Sequence, residues 1–258
     1  MPRMPLPTQT PVTPVHVPHA PLRSYYGQDQ QRCAWVVDLF DRTALDYERI
    51  EGLMAMGSGS WYRRHALSSA RLQPGMRVID VGTGTGLVAR EAARLVGPQG
   101  FVLGVDPSAA MLANARAVAG VRLAQGRAES IPAPDASADF LCMGYALRHI
   151  SDLAVAFREF ERVLRPGGRV CLLEITRPEG RWRHALLKTY MHTLVPWAAR
   201  VVARGRDTPL LMRYYWDTIE TCATPPLILA TLQAAGFMDV TRRVDLGIFS
   251  QYCARRPR

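Results

Sequence analysis

The sequence predicts an α/β domain with a doubly wound, mainly parallel sheet. Five short apolar runs alternate with helix-length segments between residues 76 and 175, and this alternation is typical of βαβ units. A glycine-rich turn, VGTGTG from Val81 to Gly86, follows the first run, and a carboxylate, Asp106, ends the second. Together these features indicate a Rossmann-like fold with a nucleotide-type ligand at the carboxyl edge of the sheet.

Length and composition limit the classes of protein that fit. The 258 residues, 48% hydrophobic and 21% charged, suffice for one sizeable domain with an appendage or for two small domains. The sequence has no run of 18 apolar residues and no apolar signal core, so neither a membrane span nor a secretory signal is expected. The five cysteines form no C-x-x-C pair, which predicts reduced thiols, a cytoplasmic setting and no metal site.

The chain is strongly basic. Its formal net charge is +10 and its pI is about 9.9, which is typical of proteins with anionic partners such as nucleic acid or a lipid surface. An arginine-rich composition accounts for the charge equally well, because Lys188 is the sole lysine and the arginines are spread along the chain. We therefore expect no nucleic-acid partner.

The N-terminal part divides into a tail and two helices. Residues 1–24 hold seven prolines, two arginines and no acidic residue, which predicts a disordered tail before a domain over 25–258. Order is expected from near Gln28, where QQRCAWVVDLFDRTALDYERI has amphipathic helical spacing. A second helix is predicted from Trp61 to Ala70.

Strands and helices then alternate. The predicted strands read MRVIDV, FVLGVD, VRLAQG, ADFLCM and RVCLLEI. The predicted helices span Leu87–Val96, Ser108–Ala119, Leu153–Leu164 and Leu227–Ala235. Mixed helical residues from about 176 to 226 interrupt the alternation and predict a helical insert. Two short strands finish the chain, near Met238–Val244 and Ile248–Arg255.

The glycine turn carries the strongest chemical signal. Glycines let the backbone approach a ligand, and the helix that begins at Leu87 presents unpaired N–H groups. Asp106, twenty residues after Gly86, is placed to bind a ribose diol. A dinucleotide site has the longer G-x-G-x-x-G spacing, whereas the shorter spacing here follows the acidic Asp80. A carboxylate suits the ammonium group of S-adenosylmethionine, so this ligand is favoured.

Several longer motifs support the same ligand. VIDVGTGTG, GVDPSAAMLANAR, GRAESIPAPDASADFL and RVLRPGGRVCLLEITRP resemble the motifs of class I methyltransferases. FDRTALDY, GYALRHI and LEITRP are similar, more narrowly, to the ubiquinone/menaquinone biosynthesis C-methyltransferase family over roughly residues 35–255. The resemblance implies a seven-stranded sheet with an antiparallel last strand, N-terminal helices, a helical lid insert, and S-adenosylmethionine at the carboxyl ends of the strands.

The resemblance also assigns residues to the cofactor. With Asp80, they are Tyr47, Gly82, Thr83, Gly84, Gly86, Asp106, Pro107, Met111, Ala128, Met143 and Gly144. Arg127 stands where the family has an adenine-contacting Asp or Asn. Met111 is equally consistent with ordinary core packing on an amphipathic helix.

Two further departures concern the reaction. Leu87 replaces an aspartate that the family is thought to use, with the arginine after strand four, in removing the ring proton during C-methylation. His149 replaces an asparagine. Arg148 is a candidate for stabilising a phenolate, with an ion pair to Asp152 as the structural alternative. His149 is a candidate base, with a structural role as the alternative.

The acceptor side is expected in the insert and after strand four. Tyr145, His192 and Tyr215 are the candidate substrate-binding residues, and Leu87 is expected to make the pocket floor more apolar. Residues 177–216 contain eight basic and two acidic residues, so a peripheral contact with an anionic membrane is left open. A homodimer is left open as well.

The sequence therefore predicts an S-adenosylmethionine-dependent methyltransferase acting on a small aromatic, phenolic or quinone-like acceptor, with C-methylation favoured. Leu87 keeps two alternatives open: O- or N-methylation of a specialised metabolite, and a methyltransferase fold that binds S-adenosylmethionine but catalyses another reaction. Nucleic-acid methylation is disfavoured, because CMGY stands where many such enzymes have an [N/D]-P-P-[Y/F] motif.

Overall fold

The computed structural model describes residues 17–28, 31–54, 57–115, 120–197 and 205–258, and centres on one seven-stranded sheet. The strands are β1 (Arg77–Val81), β2 (Phe101–Asp106), β3 (Val121–Gln125), β4 (Ala138–Gly144), β5 (Leu164–Ile175), β6 (Met238–Asp245) and β7 (Phe249–Arg255). Their order is β3-β2-β1-β4-β5-β7-β6, and β7 runs antiparallel to both neighbours. The predicted doubly wound sheet with an antiparallel last strand is confirmed. The strand order reverses between β1 and β4, where open α/β sheets bind ligands.

Helices cover both faces of this sheet and its carboxyl edge. They are α1 (Arg23–Tyr26), α2 (Arg32–Met54), α3 (Gly59–Ser69), α4 (Leu87–Val96), α5 (Ala109–Asn114), α6 (Leu153–Val163), α7 (Arg181–Thr189), α8 (Thr208–Glu220) and α9 (Pro225–Ala234). A 3₁₀ turn spans Leu147–His149, and a π-helical turn spans Tyr190–Leu194. The helix predicted over Ser108–Ala119 ends at Asn114, because Ala115 is extended; residues 116–119 lie outside the described residues.

Two apolar layers hold the sheet. On one face, Phe157 and Phe160 of α6 pack with Leu232 of α9 against the strands, and on the other Leu67 of α3 packs with Ala92 of α4. Both faces are therefore buried, which explains why the central strands read as continuous apolar runs rather than alternating ones.

A third apolar cluster joins the N-terminal helix to the insert. Leu39 and Ile50 of α2 pack with Met191 of the π turn and with Leu211 and Trp216 of α8. These elements form a cap over the carboxyl edge of the sheet. Among the described residues, the helices include none that is long and apolar enough to span a lipid bilayer.

The first described residues also belong to this fold. His19 is buried and forms a β-bridge with Cys222, and the Ala223 N–H donates to the Pro18 carbonyl at 2.6 Å. Pro18 and His19, which the composition assigned to the tail, therefore pack against the segment after α8. Residues 1–16 of the predicted tail lie outside the described residues.

Candidate active site

A cleft of about 810 Å³ opens at the carboxyl ends of β1, β2 and β4, beneath α2. Ten of the predicted cofactor residues line it: Tyr47, Gly82, Gly84, Asp106, Pro107, Met111, Arg127, Ala128, Met143 and Gly144. The fold thus brings most of the predicted set together around one space.

The glycine turn after β1 is shaped for close approach. Gly82 has a φ of +66°, and a Cβ added there would lie 2.5 Å from the Cβ of Ala146. The Gly82 and Thr83 N–H groups both donate to the Val105 carbonyl, at 2.8 and 3.0 Å, which fixes the turn to β2. A side chain at Gly82 would therefore push the turn away from the segment that follows β4.

Asp106 lies at the end of β2 with its carboxylate in the cleft. One oxygen accepts the Gly84 N–H at 2.8 Å and the other accepts the Ser108 N–H at 2.9 Å. Burial raises the pKa of Asp106 to about 6, although these two hydrogen bonds favour the charged form. Each oxygen keeps a lone pair for a hydroxyl donor, so the carboxylate can bind a diol.

Asp80 occupies a different place from the one expected. Its buried carboxylate accepts the Thr83 hydroxyl at 2.6 Å and the Cys142 thiol at 3.4 Å, and burial raises its pKa to about 6. Asp80, Thr83 and Gly86 are absent from the residues that line the cleft. The structure therefore places the Asp80 carboxylate behind the turn, outside the cleft. There it accepts a hydrogen bond from Thr83, and both side chains are buried.

Helix α2 closes the cleft through two polar contacts. Asp41 accepts the Ser108 hydroxyl at 2.5 Å and the Ala110 N–H at 3.1 Å, and so caps the start of α5. Glu48 pairs with Arg90, whose guanidinium also donates to the carbonyls at the end of the glycine turn. Asp41 and Glu48 were not singled out from the sequence, although Asp41 lies within the FDRTALDY motif.

A second cavity, of about 1020 Å³, adjoins the cleft. Its walls come from α2, α3, α7, the π turn, α8 and the β6–β7 turn. Tyr47, Tyr145 and Tyr215 line both spaces, and the Tyr215 hydroxyl donates to that of Tyr47 at 3.0 Å. Tyr145 holds a φ of +60°, a strained conformation for a bulky residue that is common at ligand sites.

The walls of the second cavity are aromatic and aliphatic, with two buried arginines. Its apolar lining is Met54, Trp61, Tyr62, Ile175, Leu187, Tyr190, Met191, Ile219, Leu246, Ile248 and Phe249. Arg63 pairs with Glu51, and Arg148 pairs with Glu174. A flat apolar molecule that carries an oxygen able to accept a hydrogen bond suits such walls.

Arg148 is held from several sides. Its Nε donates to the Thr218 hydroxyl at 3.1 Å, and its guanidinium lies 4.8 Å from the centre of the Tyr215 ring. The alternative expected from the sequence, an ion pair between Arg148 and Asp152, was wrong, because Arg148 pairs with Glu174. Asp152 instead caps α6 by accepting the Ala154 and Val155 N–H groups, at 2.8 and 3.3 Å, because it ends the loop before the helix.

Glu174 is the main residue that the sequence reasoning missed. It is fully buried at the carboxyl end of β5, and burial raises its pKa. Its Oε2 has no hydrogen-bond partner among the described residues. The available signal was an acid in LEITRP at the end of a buried strand, where a charge needs a partner.

His149 lines the cofactor cleft beside Arg148. Its ring packs against Phe40, Tyr214 and Tyr215, with centroids 5.2, 5.6 and 5.8 Å away. Burial, together with the charge of Arg148, lowers the pKa of His149 well below its usual value. Its Nδ1 faces the Tyr214 hydroxyl at 3.4 Å, and its Nε2 has no partner among the described residues. The imidazole is therefore neutral near pH 7.

Two sequence expectations for the acceptor side do not fit the structure. Leu87 lines neither cavity, because it begins α4 and is half-buried while Val88 and Ala89 face the core. His192 is exposed and also lines neither cavity, because Tyr190 and Met191 are the π-turn residues that face inward. Among the described residues, no group of three His, Cys, Asp or Glu side chains is arranged to hold a metal ion.

The family model of the ubiE/COQ5 methyltransferase family matches residues 26–254. The chain is similar to the ubiquinone/menaquinone biosynthesis C-methyltransferase UbiE of Coxiella burnetii, strain RSA 493, at 29% identity over 81% of this chain and 85% of that protein. It is 30% identical to the UbiE protein of Hahella chejuensis, over 78% of this chain and 82% of that protein.

Solved structures share the fold. An S-adenosylmethionine-dependent methyltransferase from Aquifex aeolicus matches with a TM-score of 0.55 at 20% identity, over 75% of this chain and 88% of that one. The [4+2]-cyclase SpnF matches with a TM-score of 0.62 at 19% identity, over 95% of this chain and 99% of that one. At these identities the likeness concerns the fold alone.

Proposed function

We propose that this chain methylates a ring carbon of a phenolic or hydroquinone-like acceptor. The chain belongs to the ubiE/COQ5 methyltransferase family and is an S-adenosylmethionine-dependent methyltransferase. One observation carries the proposal: the cleft that contains Asp106 meets an apolar, aromatic cavity at Tyr47, Tyr145 and Tyr215. A donor in the first space and a flat acceptor in the second would meet at these three tyrosines, as displacement at a methyl group requires.

The cleft suits S-adenosylmethionine on the evidence of its own residues. Gly82 leaves room that a Cβ would fill, and Asp106 offers a buried carboxylate to a ribose diol. Ala128 and Met111 line the part proposed for the adenine, and Met143 lines the part proposed for the sulfonium. When bound, the cofactor supplies an electrophilic methyl group.

Arg148 is the residue proposed to activate the acceptor. Its guanidinium lines the second cavity, and Glu174 and Thr218 fix its orientation. A charge-assisted hydrogen bond from Arg148 would stabilise a phenolate, which places electron density on the ring carbon. His149 is a weaker candidate for taking the ring proton: its imidazole is neutral, but burial lowers its pKa, its Nε2 is buried, and its ring lines the cofactor cleft and not the second cavity.

A kinetic comparison tests the role of Arg148. Arg148→Gln should lower kcat about 10- to 150-fold on a weakly acidic phenol, the equivalent of about 1.5–3 kcal/mol for a hydrogen bond to a charged group. A more acidic phenol, already ionised at the assay pH, should lose much less. Arg165→Gln, at the exposed start of β5, is the matched control. Equal losses on both phenols would contradict the proposed role, and unchanged cofactor affinity would confirm that the variant is folded.

A second candidate is methylation at oxygen or nitrogen. Leu87 favours it, because the carboxylate that the resemblance connects with ring-proton removal is missing. The same phenolate beside Arg148 would then react through its oxygen. A reaction without methyl transfer is the further alternative, since the [4+2]-cyclase SpnF shares the fold. Release of one S-adenosylhomocysteine per product would exclude that last alternative.

A further inference from the structure

Two cysteines face each other across the sheet, outside the two cavities. Cys171 of β5 and Cys253 of β7 are direct partners in the antiparallel register, so their side chains lie on the same face of the sheet. The two thiols hydrogen-bond to each other. Cys171 is fully buried, and its sulfur also accepts the Gln251 amide at 3.5 Å, whereas Cys253 is partly exposed. One accessible thiol therefore has a second, protected thiol beside it.

A basic groove leads to Cys253. The groove has a volume of about 680 Å³, lies between the end of α3 and the strands β5, β6 and β7, and shares no lining residue with the two cavities. Arg169 and Arg255 are register partners two positions from the cysteines, so they lie on the sheet face that carries the thiols. Arg71 comes from the turn after α3, and Arg243 comes from β6.

The charge of the groove is only partly balanced by carboxylates. Asp239 lines the groove and pairs with Arg255 at 2.9 Å. Arg71 and Arg169, by contrast, pair with no carboxylate in the described part of the chain. A guanidinium presents a planar set of N–H donors that matches the oxygens of a carboxylate. The groove therefore suits a small anionic molecule.

The surroundings of Cys253 favour its thiolate form. The hydrogen bond with Cys171 lowers the pKa of Cys253, and the charges of Arg243 and Arg169 act in the same direction, against the effect of burial. Arg243 also pairs with Asp245, so its charge is partly balanced. The same hydrogen bond, together with burial, raises the pKa of Cys171 well above its usual value. Because the thiolate is the nucleophilic form of cysteine, Cys253 is the thiol of this pair that reacts first.

We propose that Cys253 is a thiol–disulfide exchange site for an anionic low-molecular-weight disulfide, with Cys171 as the thiol that then closes an internal disulfide. The Cys253 thiolate attacks one sulfur of the small disulfide, whose S–S bond breaks, and one half leaves as a thiolate that takes up a proton. The Cys171 thiol then gives up its proton and attacks the Cys253 sulfur, which expels the second half. Both protein thiols are oxidised, and the small disulfide is reduced to two thiols. Arg71 and Arg169 supply the preference for an anionic disulfide.

Reaction of the full chain with two disulfides of different charge tests the site. Oxidised glutathione carries a net negative charge, whereas hydroxyethyl disulfide is neutral, and peptide mass spectrometry identifies the cysteine that each modifies. We expect the anionic-to-neutral rate ratio at Cys253 to be about tenfold higher in the folded chain than in urea, because the guanidinium groups contact the carboxylates. The double variant R71Q/R169Q should lose most of this excess. Arg122→Gln, an exposed arginine on the opposite edge strand β3, should keep it.

Cys171→Ala isolates the second step. The unchanged chain should lose its mixed disulfide and end with Cys171 joined to Cys253, whereas the variant should keep the mixed disulfide at Cys253. Cys171→Ser, closer in size to the original residue, repeats the test. Unchanged affinity for S-adenosylmethionine shows that each variant is folded, since the groove and the cofactor cleft share no residue.

Three results would count against the proposal. Equal rate ratios in the folded and unfolded chains would overturn it, because the groove would then select no anion. Faster modification of Cys33 or Cys222, which are also partly exposed, would overturn it as well. A mixed disulfide that persists in the unchanged chain would refute the role of Cys171.

Discussion

Glu174→Gln removes the negative partner of a buried arginine without changing the shape of the side chain. Arg148 and Glu174 are 1% and 0% exposed, so the remaining guanidinium would be a buried charge without its counter-ion. Breaking such a pair costs about 3–5 kcal/mol. The Thr218 hydroxyl and the Tyr215 ring still contact the guanidinium, so we expect a loss near the lower end, about 3 kcal/mol.

Urea unfolding of the two proteins measures this difference. The midpoint should fall while the slope stays constant, because the surface exposed on unfolding is unchanged. The matched control is Glu161→Gln, whose ion pair with Arg256 at 2.6 Å is partly exposed and should contribute about 0–1 kcal/mol. A third variant, R148M/E174L, should recover most of the stability but not the activity. A loss below about 1 kcal/mol for Glu174→Gln would refute the reasoning that the pair is a desolvated charge pair.

Three further predictions concern the cofactor cleft. Asp106→Asn should raise the Kd for S-adenosylmethionine, measured by calorimetry, about 10- to 150-fold, which is the equivalent of about 1.5–3 kcal/mol. The control Asp135→Asn changes an exposed carboxylate and should leave the Kd unchanged. Because burial raises the pKa of Asp106 to about 6, cofactor affinity should fall as the pH drops through 6 and the carboxylate gains a proton; a pH-independent Kd between 5 and 7.5 would contradict this. Gly82→Ala should lower the thermal stability more than Gly84→Ala, because a Cβ on Gly82 would lie 2.5 Å from that of Ala146, whereas a Cβ on Gly84 meets no protein atom within 4 Å. Thermal unfolding that ranks Gly84→Ala as the more harmful would contradict this order.

Much of the fold was predictable because it depends on local patterns. The strand and helix periodicities placed α4 at Leu87–Val96 and α6 from Leu153, and the apolar runs gave the strands. The end of α5 was missed, because extended geometry at Ala115 leaves no signal in the apolar spacing. The packing of His19 against Cys222 was also missed. Composition describes a segment by itself and cannot show that it pairs with residues about 200 positions later in the chain.

The cofactor side of the site was more predictable than the acceptor side, for a physical reason. The turn after β1 and the acid after β2 are adjacent in a parallel sheet, so Gly82 and Asp106 could be placed together from strand order alone. The partner of Arg148 depends on how β4 and β5 align, and the sequence-near Asp152 was the wrong choice. Whether a lid residue such as His192 faces inward depends on helix rotation, which a π turn alters.

The position of the transferred methyl group is the most direct test of the proposed chemistry. S-adenosylmethionine with a ¹³C-labelled methyl group is incubated with the full chain and a short-tailed hydroquinone that lacks a ring methyl, and the product is examined by NMR. We predict that the label appears as a methyl group bonded to a ring carbon, with one S-adenosylhomocysteine released per product. Label found only on oxygen, or no label transferred to the hydroquinone, would contradict the proposed methylation at carbon.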